Sequence, residues 1–368
     1  MTFKFALLVV LAATHASGAA TVPAQPAWGQ CGGIGWSGTS NCTTGTTCTK
    51  LNVFSAPNSN GLCSFCPDYT AGRQLLVQFA SVFTAFSPIV ALKCTFEFCS
   101  GDSYTQTGFS PNDTLPAVGN PLGNPPYPGD TATGGSNWVD VDTIVFNTSL
   151  ILTYNYAYGG ATIDTKLVPP SNATILTLTD QVDQFLTGAT SNGSATFWTS
   201  NNTFKLFSFW IGINDIGISY TDSGRRDAVS DTSLNAYFAL VQKVLYELLH
   251  IIVRNFLFIN VPPVDRAPIN LGNATAQALE RSVIEGFNGK LASRVSPFQT
   301  VNPDIRTWLF DANKLFTMVL DDPQAYGFVN NASFGGADDF WGNNYHPSSA
   351  MHTIIGKKIS QLLNGTVW

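Results

Sequence analysis

The stretch GDSYTQTG, residues 101–108, sets a hydroxyl, Ser103, directly after an acid and at the end of an apolar run. A lone serine in that position is a turn residue, because an unassisted hydroxyl is a poor nucleophile. Other stretches supply the assistance. NYAYGGAT, residues 155–162, offers backbone N–H groups laid open by Gly160, with Gly159 as the alternative donor. GIND, residues 212–215, offers a side-chain amide at Asn214. FWGNNYHPSS, residues 340–349, offers an imidazole at His346. Together they suit acyl transfer: a hydroxyl, a base to take its proton, and neutral donors for a developing oxyanion.

The chain holds four histidines, so the choice of base is narrow. His15 lies in the N-terminal apolar run, and His250, within LLHIIV, reads as a core position. His352 falls in the opening turn of a closing amphipathic helix. Pro347 fixes a turn beside His346 and holds that ring on a loop, which makes His346 the candidate.

These groups are far apart in sequence, and an open parallel sheet would bring them together. Short apolar runs at Thr95–Phe98, Leu150–Tyr156, Leu206–Ile213, Phe256–Val261 and Thr307–Phe310 predict buried parallel strands. Helical spacing groups Leu234, Phe238, Val241, Leu245 and Leu248, then Leu279, Val283, Phe287 and Leu291, then Met351, Ile355, Ile359 and Leu362. Alternating strands and helices predict an α/β fold, a five-stranded parallel sheet covered on both faces. Function in such sheets gathers at the carboxyl ends of the strands, where the Ser103, Gly160 and Asn214 stretches fall.

Residues 94–368 resemble an SGNH, or GDSL, hydrolase, whose blocks begin with Ser, Gly, Asn and His in that order. NPLGNPPYPG, NWVD and FLFINVPP narrow the likeness to fungal acetyl esterases of carbohydrate esterase family 16. The resemblance implies a three-layer, flavodoxin-like domain. It implies Ser103 as nucleophile, His346 as base, and an oxyanion hole from the Ser103 N–H, the Gly160 N–H and the Asn214 amide. Many relatives carry an Asp three residues before the histidine, and this chain has Asn343 there, with Asn344 beside it. Asp339, or its neighbour Asp338, is a candidate to reach back as the acid, with a solvated turn as the competing reading, and a Ser–His dyad supported by a backbone carbonyl stands equally open. Asp102 and Asp215 read as loop-holding residues. A cysteine nucleophile is disfavoured, because no histidine lies in a matching motif.

The N-terminal region is a different kind of chain. Lys4, the apolar run Phe5–Ala13 and the small residues Ala16–Ala20 read as an export signal, set at 1–18. Sequons at Asn41, Asn112, Asn147, Asn172, Asn192, Asn201, Asn273, Asn331 and Asn364 fit a secreted glycoprotein. Residues 27–63 are rich in Gly, Thr, Asn and Cys and too short to be stabilised by burial alone, so cross-links are expected. WGQCGGIGWSGTSNCTTGTTC within them resembles the fungal-type cellulose-binding module, carbohydrate-binding module family 1. That resemblance implies the disulfides Cys31–Cys48 and Cys42–Cys63. It also implies that Trp28, Gln30, Asn52 and Phe54 face cellulose, with rings stacked on pyranose faces. Ser55 stands where a further aromatic is expected, and SAPNSNGLC is longer than the family pattern. The connector 64–93 is apolar rather than a Ser/Thr/Pro linker, and reads as an extra helix on the larger domain or as translated intron. Gln78, Ser81 and Pro88 interrupt its run Leu75–Leu92, so stable membrane association is not expected. Cys66, Cys94 and Cys99 are an odd remainder, and at least one of them should stay a free thiol.

Charged residues make up 11% of the chain, and the net charge of −6 comes with no basic cluster, which argues against nucleic-acid binding. No metal-ligand spacing occurs outside the cysteine-rich module and no phosphate-binding glycine loop is present, so no metal or cofactor is expected. The resulting expectation is a secreted monomer that deacetylates plant cell-wall saccharides and is targeted to cellulose by its N-terminal module. An esterase or lipase of longer acyl chains is one alternative. A carbohydrate-binding protein with an impaired hydrolase domain is the alternative of another class.

Overall fold

The computed structural model describes residues 95–190, 204–222, 226–247 and 255–368, and the backbone of three short strands nearer the N-terminus. Those strands are β1 (Gln30–Gly32), β2 (Thr47–Lys50) and β3 (Gly61–Ser64), an antiparallel sheet ordered β1-β3-β2. Trp28, Asn52, Phe54, Cys42, Cys66 and Cys94 lie outside the described residues, as do the side chains of Gln30, Cys31, Cys48 and Cys63. The 1–18 signal, the 64–93 connector beyond Ser64, and His15 and His250 lie outside them too.

The larger sheet is all parallel. Its strands are β4 (Thr95–Gly101), β5 (Ile151–Asn155), β6 (Phe204–Trp210), β7 (Asn255–Ile259) and β8 (Arg306–Phe310), in the order β5-β4-β6-β7-β8. Helices α1 (Trp138–Ile144), α2 (Leu178–Thr190), α3 (Ile213–Ser219), α4 (Arg226–Glu247), α5 (Ala274–Val301), α6 (Ala312–Asp321) and α7 (Ser349–Leu362) complete the three-layer α/β/α domain. Order reverses at β4, so its carboxyl end opens on the crevice between outgoing and returning crossovers.

Register explains the strand composition. Phe98 pairs with Phe207 and Phe207 with Phe256, so aromatics of neighbouring strands stack on one face. Their ring centroids are 5.0 and 5.8 Å apart, and Phe185 of α2 and Phe298 of α5 cap the row at 4.9 and 5.6 Å. The opposite face carries buried polar groups: the Ser208 hydroxyl donates to Glu97 Oε1 at 3.0 Å and lies 3.1 Å from the Cys99 sulfur. Cys99 is a buried free thiol.

The predicted elements differ from the observed ones in two places. The run Leu206–Ile213 is not one strand, because Gly212 adopts φ +115° and starts α3, with Ile213 as its first residue. Ile213 is fully buried in the helix, so burial alone kept the apolar run going. Leu362 is exposed; the chain turns at the end of α7 and buries Leu363 instead. Leu248 lies outside the described residues.

Candidate active site

The turn that carries Ser103 is dictated by Gly101. A Cβ there would stand 2.4 Å from the Trp210 carbonyl oxygen, so only glycine lets β4 and β6 end side by side. Gln181 of α2 clamps the same residue, accepting from the Gly101 N–H at 2.9 Å and donating to its carbonyl at 2.8 Å. Beyond it the N–H groups of Thr105 and Gln106 both return to the Asp102 carbonyl, at 3.0 and 2.9 Å, and lift Ser103 onto the tip of the turn. The Asp102 carboxylate accepts from the Tyr104 N–H at 3.0 Å. Asn137, the N-cap of α1, donates to the carbonyls of Thr105 and Gln106, both at 2.9 Å, which gives the NWVD stretch its structural job.

The glycine loop is sewn to this turn. Tyr158 N–H donates to the Gly101 carbonyl at 3.1 Å, and Ala161 N–H closes a turn on Tyr158 at 3.1 Å. Gly160 sits in that turn at φ +79°, a conformation L side chains avoid. A Cβ on Gly159 would stand 2.4 Å from Gln106 Oε1, the end of a flexible side chain that can move aside, so the backbone demands glycine at Gly160 rather than at Gly159. Among the described residues neither the Ser103 nor the Gly160 N–H has a hydrogen-bond partner.

Asn214, in the first turn of α3, donates from Nδ2 to the Ala161 carbonyl at 2.9 Å, which leaves its second amide hydrogen. Asp215 accepts the Ile163 N–H with both carboxylate oxygens, at 3.1 and 3.2 Å. This bond spans two blocks rather than the local loop around Asn214, as the sequence suggested. Burial pushes Asp215 up to about 7, against the pull of the Ile163 N–H. Burial also pushes Asp102 up to about 8, opposed by the Tyr104 N–H and aided by Asp215.

The histidine closes the set. His346 Nε2 lies 2.7 Å from Ser103 Oγ, and Nδ1 lies 3.0 Å from Asn343 Oδ1. That same oxygen accepts the N–H groups of Tyr345 and His346 at 2.9 and 2.8 Å. Both are obligate donors, so the Asn343 atom facing the ring is oxygen and Nδ1 must carry the proton. Nε2 is therefore bare and accepts from the Ser103 hydroxyl. Asn343 Nδ2 donates to the Ala132 carbonyl at 3.1 Å, which anchors the orienting group from behind. Desolvation lowers His346 to about 4, since an amide supplies no counter-charge.

Asp339 does not reach the histidine. Its carboxylate accepts from the Ser333 hydroxyl and, at 2.8 Å, from the Gly336 N–H, which locks it into the 333–339 loop. Asp338 is exposed. Nearness in sequence misled here, because the loop turns the Asp339 side chain onto its own backbone. His352 is buried in α7 and held neutral by that burial, lowered to about 3. Sequence reasoning missed Gln181, Asn137 and Tyr104 as supports. The Tyr104 hydroxyl donates to the Tyr345 carbonyl at 2.6 Å, a partner 241 residues away that leaves no local signal.

With that geometry in place, the comparisons decide the family. The profile of the GDSL-like lipase/acylhydrolase family matches residues 98–359. An acetylesterase of Thermothelomyces thermophilus is 36% identical over 270 residues, 72% of this chain and 87% of that protein. The chain belongs to the GDSL-like lipase/acylhydrolase family. As a GDSL-like acylhydrolase it is a serine esterase. The fungal cellulose binding domain profile matches residues 27–54, so this GDSL-like hydrolase also carries a cellulose-binding domain. Exoglucanase 3 of Agaricus bisporus is 51% identical over 53 residues, 14% of this chain and 11% of that one. Among solved structures, an acetylxylan esterase from Geobacillus stearothermophilus is 15% identical, covering 73% of this chain and 94% of its own, with a TM-score of 0.40.

Proposed function

We propose that the protein is a secreted acetyl esterase that removes acetyl groups from plant cell-wall saccharides by a Ser103–His346 acyl-enzyme mechanism. The observation that carries this reading is the 2.7 Å contact between Ser103 Oγ and the bare Nε2 of His346, beside N–H groups of Ser103 and Gly160 that have no partner among the described residues. Ser103 attacks the ester carbonyl while His346 takes its proton. The oxyanion is received by those two N–H groups and by the second amide hydrogen of Asn214, each such donor contributing about 3 kcal/mol in the transition state. His346 returns the proton to the leaving saccharide hydroxyl, and water then releases acetate from Ser103. Asn343 orients the ring and fixes its tautomer without adding charge.

The acetyl and saccharide specificity is supported by the 36% identical acetylesterase and by the cellulose-binding domain at 27–54. On this reading residues 1–18 are a cleaved signal, 27–63 hold the enzyme on cellulose through Trp28, Gln30, Asn52 and Phe54, 64–93 connect, and 94–368 catalyse. The test is acetate release from acetylated xylan by the purified full chain. Release abolished in Ser103→Ala supports the reading, and equal release by wild type and variant removes it.

A further inference from the structure

Ser103 and His346 come from segments 243 residues apart, yet their reacting atoms lie 2.7 Å apart, as transfer of the hydroxyl proton requires. The residues beside them form a second, independent link. Tyr104, next to the nucleophile, is fully buried, and its hydroxyl donates to the carbonyl of Tyr345, next to the histidine, at 2.6 Å. Its ring lies edge-on to Trp210 at 5.5 Å, tilted against His346 at 5.3 Å, and edge-on to Tyr345 at 6.3 Å. Phe316 of α6 backs it at 6.4 Å. Burial keeps the hydroxyl protonated far above its ordinary range, so it remains a donor.

The rest of the histidine loop is tied elsewhere. Asn343 is bonded to Ala132, and the Asn344 carbonyl accepts the Ile269 N–H at 2.9 Å. Those anchors hold the loop to the body of the domain. Among the described residues, the Tyr104–Tyr345 bond ties it to the nucleophile turn itself, apart from the reacting pair.

We propose that Tyr104 is a positioning residue whose hydroxyl strut to the Tyr345 backbone sets the Ser103–His346 distance for proton transfer. The proposal rests on the Ser103–His346 reading above. In Tyr104→Phe the phenyl ring and its packing stay while the strut is cut. Misplacement of a reacting pair by a fraction of an ångström is felt in the chemical step rather than in substrate binding.

The experiment compares kcat, KM and melting temperature of wild type, Y104F, Thr143→Val and Ser103→Ala on 4-nitrophenyl acetate. Thr143→Val removes a buried 2.7 Å bond to Thr153 under the sheet and serves as the purely structural control. Y104F is expected to lose about tenfold in kcat with KM unchanged, and to react more slowly with a serine-directed phosphonate. The control should lose melting temperature with kcat intact. Phe316→Leu, which loosens the ring's seat without touching the hydroxyl, is expected to show a smaller kcat-only loss and substitutes if Y104F does not fold. Wild-type kcat in a folded Y104F, or a loss no greater than in the control, overturns the strut. Activity retained by Ser103→Ala would instead overturn the Ser103–His346 reading.

Discussion

Asn343 is the residue with the sharpest chemical consequence. It does the orienting half of what an aspartate does at this position and omits the electrostatic half, so no charge offsets the burial that lowers His346 to about 4. A base with that affinity stays neutral in acid, and the acid limb of kcat/KM is expected near pH 4. Asn343→Asp supplies a carboxylate that favours imidazolium and should move the limb up by about 1–3 pH units. A pH–rate profile of the two proteins checks this, and an unmoved limb would mean that His346 does not set it. Asn214→Ala removes the proposed oxyanion donor together with the tie to Ala161, and should lower kcat by about 10²–10³. The four positions that make up the candidate site were legible because each stands in a polar stretch just past a predicted strand or before the last helix. Asp339 was misread because its partners, Ser333 and Gly336, are fixed by a loop fold that spacing does not reveal.

At the scale of elements, the site depends on how closely β4 and β6 end. Gly101→Ala places a Cβ against the Trp210 carbonyl and must push the strand ends apart, which should cost about 1–3 kcal/mol and lower kcat as well. Thermal unfolding with kinetics tests this; a folded variant with unchanged melting temperature and activity would contradict it. The five strands were readable from apolar runs, and three helix faces from their spacing. The boundary between β6 and α3 was not, since Ile211 and Ile213 are both buried and only the φ of Gly212 separates loop from helix. The supports Gln181, Asn137 and Tyr104 were invisible for another reason: their partners lie 80, 32 and 241 residues away. A polar residue bonding across such distances has no local signature.

For the whole molecule, buried carboxyls govern the dependence on pH. Burial raises Glu97, Asp215 and Glu280 to about 7 and Asp102 and Asp140 to about 8, all above the unfolded value of about 4. The folded chain therefore holds these protons more tightly, and the stability they contribute is present near pH 4 and lost as pH rises toward 8. His346 and His352, lowered to about 4 and about 3, act in the opposite sense and cost stability as pH falls below about 6.5. Melting temperature should peak at mildly acidic pH and fall on the alkaline side; a value still rising at pH 9 would contradict this. The N-terminal domain acts on a separate function. Trp28→Ala should reduce retention on microcrystalline cellulose while leaving turnover of a small soluble ester unchanged, measured by pull-down and by rate.

The central claim is that Ser103 is the nucleophile activated by His346. Treating the purified chain with a serine-directed phosphonate and mapping the adduct by peptide mass spectrometry tests it most directly. One adduct on the peptide containing Ser103, formed in step with loss of esterase activity and much slower in His346→Ala, is the result expected. Full inactivation with the adduct on another residue, or an esterase that the phosphonate leaves active, would contradict the account.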